Sequence, residues 1–156
     1  MMDSAPKRKA FAYVTSGRRI LLLAHPDHPD SGIQVPAGTV RPGEPVEAAA
    51  LREAEEETGL ARLELVGVLG KRDFDMSPFG RHEIHHRTFV HLRCQSEEPD
   101  TWEHWEDDPE GLPGERIRFR LFWVSLDEPL PDLIAGHDAF IVALRRLMDG
   151  RSRVRG

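Results

Sequence analysis

The chain has 156 residues and a mass of 17.7 kDa, a length typical of one globular domain with its own core. Hydrophobic residues make up 39% of the sequence and charged residues 31%, which excludes intrinsic disorder over most of the chain. The formal net charge of -6 excludes a broadly basic surface for nucleic-acid backbones or anionic membranes.

Cysteine content and apolar runs bear on the compartment. Cys94 is the only cysteine, which excludes an intramolecular disulfide and fits a reducing compartment. Its apolar neighbours predict a buried small hydrophobe rather than a nucleophile. No run approaches the roughly 18 apolar residues of a membrane span, and residues 16–19 interrupt the N-terminal apolar runs, unlike a signal peptide. We therefore expect a cytoplasmic protein that does not bind membranes.

The first half of the chain predicts a hairpin followed by a helix. Residues 10–15 and 20–24 are β-prone and flank a polar turn, and residues 33–35 form a brief strand that ends before a proline. A helix is predicted over residues 45–58, with Pro45 at its first position, Glu44 as a capping acceptor and Gly59 as its stop.

The second half predicts three more strands and a second helix. Strands are expected at residues 63–70, 88–94 and 116–124. Residues 95–114 are rich in acids, proline and glycine and contain two tryptophans, so we expect a long binding loop there. Residues 136–148 have the spacing of an amphipathic helix. One domain over residues 1–150 and a flexible basic tail over residues 151–156 complete the prediction.

Three glutamates lie in an electrostatically unfavourable place on the first predicted helix. Glu56 and Glu57 follow Glu53 by three and four residues. On a helix this spacing brings the three carboxylates together, here near the C-terminus. Each like-charge pair costs about 0.2–0.5 kcal/mol on an isolated helix, and the macrodipole adds to the cost. A divalent cation such as Mg²⁺ would turn this repulsion into ligation. A solvated acidic face is the alternative for such a run.

The residues around these glutamates follow a specific pattern. The pattern is Gly-x5-Glu-x7-Arg-Glu-aliphatic-x-Glu-Glu-x-Gly-aliphatic, in which x is any residue. Residues 38–60 fill all nine specified positions, of which Ala54 is the weakest match. This segment resembles the Nudix box, which is typical of MutT-like hydrolases.

The resemblance implies a fold, a reaction and a metal site. The fold would be an α/β/α sandwich with a mixed, curved sheet. The reaction would be metal-dependent hydrolysis of a phosphoanhydride in a nucleoside diphosphate linked to another group X. Mg²⁺ or Mn²⁺ would be bound by Glu53, Glu56 and Glu57, with the Gly38 carbonyl as an additional ligand. Arg52 and Glu44 would orient these carboxylates.

The general base and the substrate contacts stay open at this stage. Glu53 or Glu56 is the preferred base, because a loop glutamate is more often solvated. The loop alternatives are Glu103, Glu106 and Glu110.

Five other side chains are candidates for binding the substrate. Trp102 and Trp105 are candidates for stacking on a nucleobase, and Arg72, Arg81 and Arg87 for contacting phosphates. Each has a structural alternative, as a hydrophobic anchor or a surface charge.

Three other functional classes remain as alternatives. Residues 82–86 fit the H-E-x-x-H zinc protease signature, but the nearby proline and glycine argue against the helix it needs. A catalytically silent nucleotide-binding module and a non-hydrolytic Nudix enzyme are the other two. The intact acidic set argues against the silent module. The oligomeric state stays open between a monomer and a homodimer.

Overall fold

The computed structural model describes residues 6–109 and 111–155, with side chains to residue 150. The strands, β1 to β7 in chain order, are Lys7–Ser16, Arg19–Ala24, Ala37–Thr39, Leu63–Asp75, Ile84–Cys94, Thr101–Asp107 and Arg116–Ser125. The helices are α1, Val46–Thr58, and α2, Ile141–Arg155.

The strands form one mixed sheet of seven. Six of them lie in the order β4-β5-β1-β2-β7-β6, and β3 pairs with β1. The β1–β5 pair is parallel, and the other pairs are antiparallel. Two register irregularities lie in the β4–β5 pair, and such bulges bend and twist a strand.

Each face of the sheet is covered by one helix. Ala10, Ala12 and Val14 of β1 pack in one core with the alanines of α1, while Phe11 and Tyr13 pack in a second core with α2. This separation follows from the two-residue period of a strand, which sends neighbouring side chains to opposite faces. The predicted α/β/α sandwich with a mixed, curved sheet is confirmed.

The predicted strands at residues 10–15, 20–24 and 116–124 fall within observed strands. Cys94 is buried, as expected. Residues 33–35 are not a full strand, because Ile33 and Gln34 make only isolated bridges and the regular strand is β3.

Helix α1 begins one residue later than predicted, and its cap differs. Pro45 is the N-cap residue, and no side chain caps the helix. The carboxylate of Glu44 is instead engaged by Arg52 and the Arg41 N–H. Gly59 ends the helix as predicted, in the left-handed conformation with a φ of 77°.

The predicted loop over residues 95–114 is wrong in its middle, where β6 pairs with β7 in regular antiparallel register. Helix α2 begins five residues later than predicted. Ala135 and Gly136 have positive φ angles, so a tight turn rather than a regular helix precedes α2.

The tail prediction is only partly covered by the described residues. Helix α2 continues to Arg155, while Gly156 and the side chains beyond residue 150 lie outside the description. Among the described residues, none of the helices is long and apolar enough to cross a membrane.

Candidate active site

Gly38 and Glu53 lie in direct contact, where β3 meets α1. A Cβ on Gly38 would lie well under 3.0 Å from the carboxylate of Glu53. Gly38 is held in the ladder opposite Ala10 of β1, so the strand cannot withdraw. Only glycine leaves room for the Glu53 carboxylate at this position.

Arg52 fixes two carboxylates of the site at once. Its Nε and Nη2 donate to the two oxygens of Glu44, both at 2.9 Å, a bidentate pair that sets orientation as well as charge. Its Nη1 donates to Glu53 Oε1 at 2.7 Å. The hydrogen bonds from Arg52 are the largest cause that lowers the pKa of Glu44 to about 2. The same bonds with Glu44 are the largest cause that raises the pKa of Arg52.

A third element, β6, brings Glu106 to the two glutamates of α1. Carboxylate oxygens of Glu53, Glu56 and Glu106 all lie within 4.8 Å of one another. Hard oxygen ligands converging in this way suit Mg²⁺ or Mn²⁺. In the described part of the chain, this is the one group of three such side chains close enough together to hold a metal ion.

Glu57 lies next to this group and is buried. Its Oε1 accepts a hydrogen bond from the Ala37 N–H at 3.2 Å. Burial, and then the neighbouring charges of Glu53 and Glu106, raise its pKa well above the usual value. The crowding of acids predicted from the sequence is therefore real, and it carries a cost that a bound cation would relieve.

The acids open into a cavity of about 650 Å³ between α1 and the β6–β7 end of the sheet. Gly38, Arg52, Glu53, Glu56 and Glu57 all line it. The structure thus brings together the predicted metal and catalytic residues, and it holds Glu44 beside them through Arg52. The volume is in the range of small-molecule sites in proteins.

Of the two loop glutamates that the structure describes, Glu106 lies at the site and Glu103 does not. Glu103 lies on the opposite face of β6 and contacts Arg118 at 3.4 Å, and Glu110 is outside the described residues. Strand alternation in Trp102, His104 and Glu106 was the available signal for Glu106. The sequence names Glu106 only as an alternative base, because its segment predicts a loop rather than a strand.

The two tryptophans do not line the cavity. Trp102 packs beside the α1 core, and its Nε1–H donates to the Thr58 carbonyl at 2.8 Å. Trp105 lies on the other face of β6 and is 43% exposed, with the Arg116 guanidinium 4.6 Å from its ring centroid. The structure therefore places Trp102 as a hydrophobic anchor and keeps Trp105 away from the acids.

The candidate phosphate ligands Arg72 and Arg87 lie on the α2 side of the sheet, outside the acidic cavity. Arg87 is buried, at 3% exposure, and lines a second cavity of about 420 Å³, which we call the Arg87 pocket. Lys9, Arg81, His85 and His137 also line it. Arg72 pairs with Arg87 in the β4–β5 ladder and lines a smaller cavity next to it.

The zinc protease signature does not lie on a helix. Residues 82 and 83 precede β5, and His85 and His86 belong to that strand. His85 is buried and His86 is exposed, because consecutive strand residues face opposite ways. The two-histidine helical geometry that the signature needs is absent from these described residues.

The fold and the chain resemble known proteins. A UDP-X diphosphatase superimposes with a TM-score of 0.66 at 17% identity, over 97% of this chain and 66% of that one. A MutT Nudix hydrolase from Burkholderia pseudomallei has a TM-score of 0.57 at 26% identity, over 90% and 98%. An ADP-ribose pyrophosphatase from Streptococcus suis has a TM-score of 0.55 at 20% identity, over 94% and 92%. None of the curated proteins compared with the chain matches it.

The NUDIX domain family matches residues 5–144, which is most of the chain. The match includes the whole box, the sheet and the start of α2. The chain belongs to the Nudix family and is a hydrolase that acts on phosphorus anhydrides.

Proposed function

We propose that the protein is a Mg²⁺- or Mn²⁺-dependent hydrolase of a nucleoside diphosphate linked to a second group X. The observation that carries this proposal is the convergence of Glu53, Glu56 and Glu106 within 4.8 Å, beside a cavity large enough for such a substrate. The raised pKa of Glu57, caused first by burial and then by the neighbouring charges of Glu53 and Glu106, supports it, because a bound cation would relieve the repulsion among these acids.

The residues present fit a divalent cation. Glu53, Glu56 and Glu106 offer carboxylate oxygens, and Gly38 leaves the space that the Glu53 carboxylate occupies. When bound, the metal would neutralise diphosphate oxygens and help to ionise the attacking water. Glu57, which the sequence also predicts as a metal ligand, is not one of these three carboxylates but lines the same cavity.

The protein's own side chains would orient the catalytic carboxylates and deprotonate the attacking water. Arg52 holds the Glu53 carboxylate by a short hydrogen bond while Glu44 holds Arg52, so the orientation of Glu53 is fixed before substrate binds. Glu53 and Glu56 stay the preferred candidates for the general base. Glu106 is a third candidate, since its carboxylate lies within 4.8 Å of theirs.

The substrate panel should begin with UDP-sugars and ADP-ribose, since a UDP-X diphosphatase and an ADP-ribose pyrophosphatase share the fold. Dinucleoside polyphosphates, oxidised nucleotides and capped RNA complete it. We expect release of a nucleoside monophosphate and phosphorylated X, dependent on added Mg²⁺ or Mn²⁺ and abolished by EDTA. A cytoplasmic location, and a monomer or homodimer, remain predictions.

Glu56→Gln tests the proposal, and Glu55→Gln is its control because Glu55 is exposed and outside the acidic group. We expect Glu56→Gln to lose turnover by at least about 10²-fold while its thermal unfolding is unchanged. Near-normal activity in Glu56→Gln would refute the assigned roles. Nucleotide binding without product release would indicate a silent module, and a rearranged diphosphate a non-hydrolytic enzyme.

A further inference from the structure

The Arg87 pocket adjoins the acidic cavity but lies on the other face of the sheet. Ala37 and Gly38 of β3 line both cavities. Both cavities therefore border β3, which places the Arg87 pocket next to the site where the diphosphate of the proposed substrate would lie. What this pocket accepts bears directly on the chemistry of X.

Arg87 is a buried cation without a carboxylate partner. Its guanidinium donates to the Ala135 carbonyl, to His85 Nδ1 and, at 3.4 Å, to Met76 Sδ, all of which are uncharged acceptors. No carboxylate lies within 4.0 Å of it in the part of the chain that the structure describes. Burying a charge without an opposite charge is costly, so this arrangement calls for an anion from outside.

The guanidinium lies close to two aromatic rings. The ring centroids of Phe11 and Phe74 lie 4.6 and 4.1 Å from its central carbon. Stacking of this kind stabilises the cation and fixes the plane in which its N–H groups point. Burial lowers the pKa of Arg87 to about 10, so the group stays charged at neutral pH.

The rest of the lining is also cationic or neutral. Lys9 and Arg81 line the pocket, and none of its lining residues is an aspartate or glutamate, although the chain has 27 acids and 21 lysines and arginines. Arg81, like Arg87, makes no ion pair within 4.0 Å among the described residues, although Glu83 lies near Arg81 and pairs with Lys7 and His85. The pocket is therefore a local reversal of the chain's overall charge.

His137 adds a neutral polar group. Burial lowers its pKa to about 3, and its Nδ1 accepts a hydrogen bond from the Val35 N–H at 3.0 Å. The ring is therefore neutral and carries its hydrogen on Nε2. The positive charge of the pocket comes from the arginines and the lysine.

We propose that the Arg87 pocket binds a phosphate carried by the X group of the substrate, with Arg87 and Arg81 as its cationic partners. The inference rests on the proposed function for the identity of the substrate, but not for the anion site itself. Preferred substrates would then be nucleoside diphosphates whose second moiety is itself phosphorylated, in preference to those with an uncharged sugar.

Inorganic phosphate is the probe for this site. The full-length, metal-free protein is titrated with phosphate, and the Nε–H resonance of Arg87 and the ring resonances of His85 and His137 are followed by NMR. Arg81→Gln is the test variant, and Arg62→Gln is the matched control, since Arg62 is exposed and outside the pocket lining. We expect saturable shifts in the wild type and in Arg62→Gln. In Arg81→Gln, phosphate affinity should be at least about tenfold weaker.

Two results would overturn the inference. One is that phosphate shifts none of the pocket resonances, and the other is that Arg81→Gln and Arg62→Gln bind phosphate equally. A parallel titration with adenosine should leave the Arg87 resonance unmoved; if adenosine saturates the pocket and phosphate does not, the pocket takes a base instead. Glu56→Gln should keep wild-type phosphate binding, so a failure of the hydrolase proposal is separated from a failure of this one.

Discussion

Replacing Gly38 by alanine should displace the Glu53 carboxylate. The new Cβ would lie about 1 Å closer to the Glu53 oxygens than the 3.4 Å at which ordinary van der Waals contact begins. Gly38 cannot move away, because β3 is paired with β1 at Ala10, which is fully buried. The carboxylate must therefore move by about 1 Å, and its hydrogen bond to Arg52 must lengthen or break.

A displacement of about 1 Å at a reacting centre can cost about 10²-fold in rate, which corresponds to about 2.7 kcal/mol of transition-state stabilisation. We expect Gly38→Ala to lower kcat by about that factor. The affinity for Mn²⁺, measured by calorimetry, should fall as well, because Glu53 is one of the three converging carboxylates.

Gly67→Ala is the control, because a Cβ at Gly67 meets nothing within 4 Å and its φ is not in the left-handed region. Both variants are assayed on the best substrate of the panel with saturating metal, and thermal unfolding confirms that each is folded. A folded Gly38→Ala enzyme with the kcat and Mn²⁺ affinity of Gly67→Ala would refute the reasoning.

Four further changes test other parts of the site. Glu106→Gln should lower kcat by about 10²-fold while Glu103→Gln, on the opposite face of β6, should not; equal effects would exclude Glu106 from the site. Arg52→Lys should weaken Mn²⁺ binding by about tenfold in calorimetry, because lysine cannot make the bidentate pair, and an unchanged affinity would contradict the orienting role. Burial and nearby acids raise the pKa of Glu57 above its ordinary 4.5, so the contribution of Glu57 to the stability of the EDTA-treated protein should be full below pH 4.5 and should be lost as the pH rises through the raised value. Glu57→Gln should remove this part of the pH dependence in thermal unfolding, and parallel curves for the two proteins would contradict it. Trp102→Phe should lower the free energy of unfolding in urea by about 1 kcal/mol and leave KM unchanged, whereas a raised KM with unchanged stability would restore its role in binding.

Local spacing was enough to predict the box helix and its acids. Glu53, Glu56 and Glu57 belong to one helix, so their relative placement follows from helix geometry alone. Gly59 ended the helix as expected, since the left-handed C-cap favours glycine.

The predictions that were wrong concern residues whose neighbours in the fold belong to strands distant in the sequence. Residues 101–107 carry many acids and looked like part of a loop, but pairing with β7 makes them a strand. Strand pairing decides which alternate residues face the helix, and it placed Glu106 at the acids and Trp105 on the other face. A two-residue period leaves that choice undetermined until the partner strand is known.

The sequence by itself determined the family, the acidic helix and the kind of chemistry, because these depend on residues close together in the chain. Only the tertiary structure decided that Glu106 completes the acidic group and that Arg87 is buried without a carboxylate partner. Both outcomes depend on long-range strand register and on what packs above each face, and neither is encoded in the spacing of nearby residues.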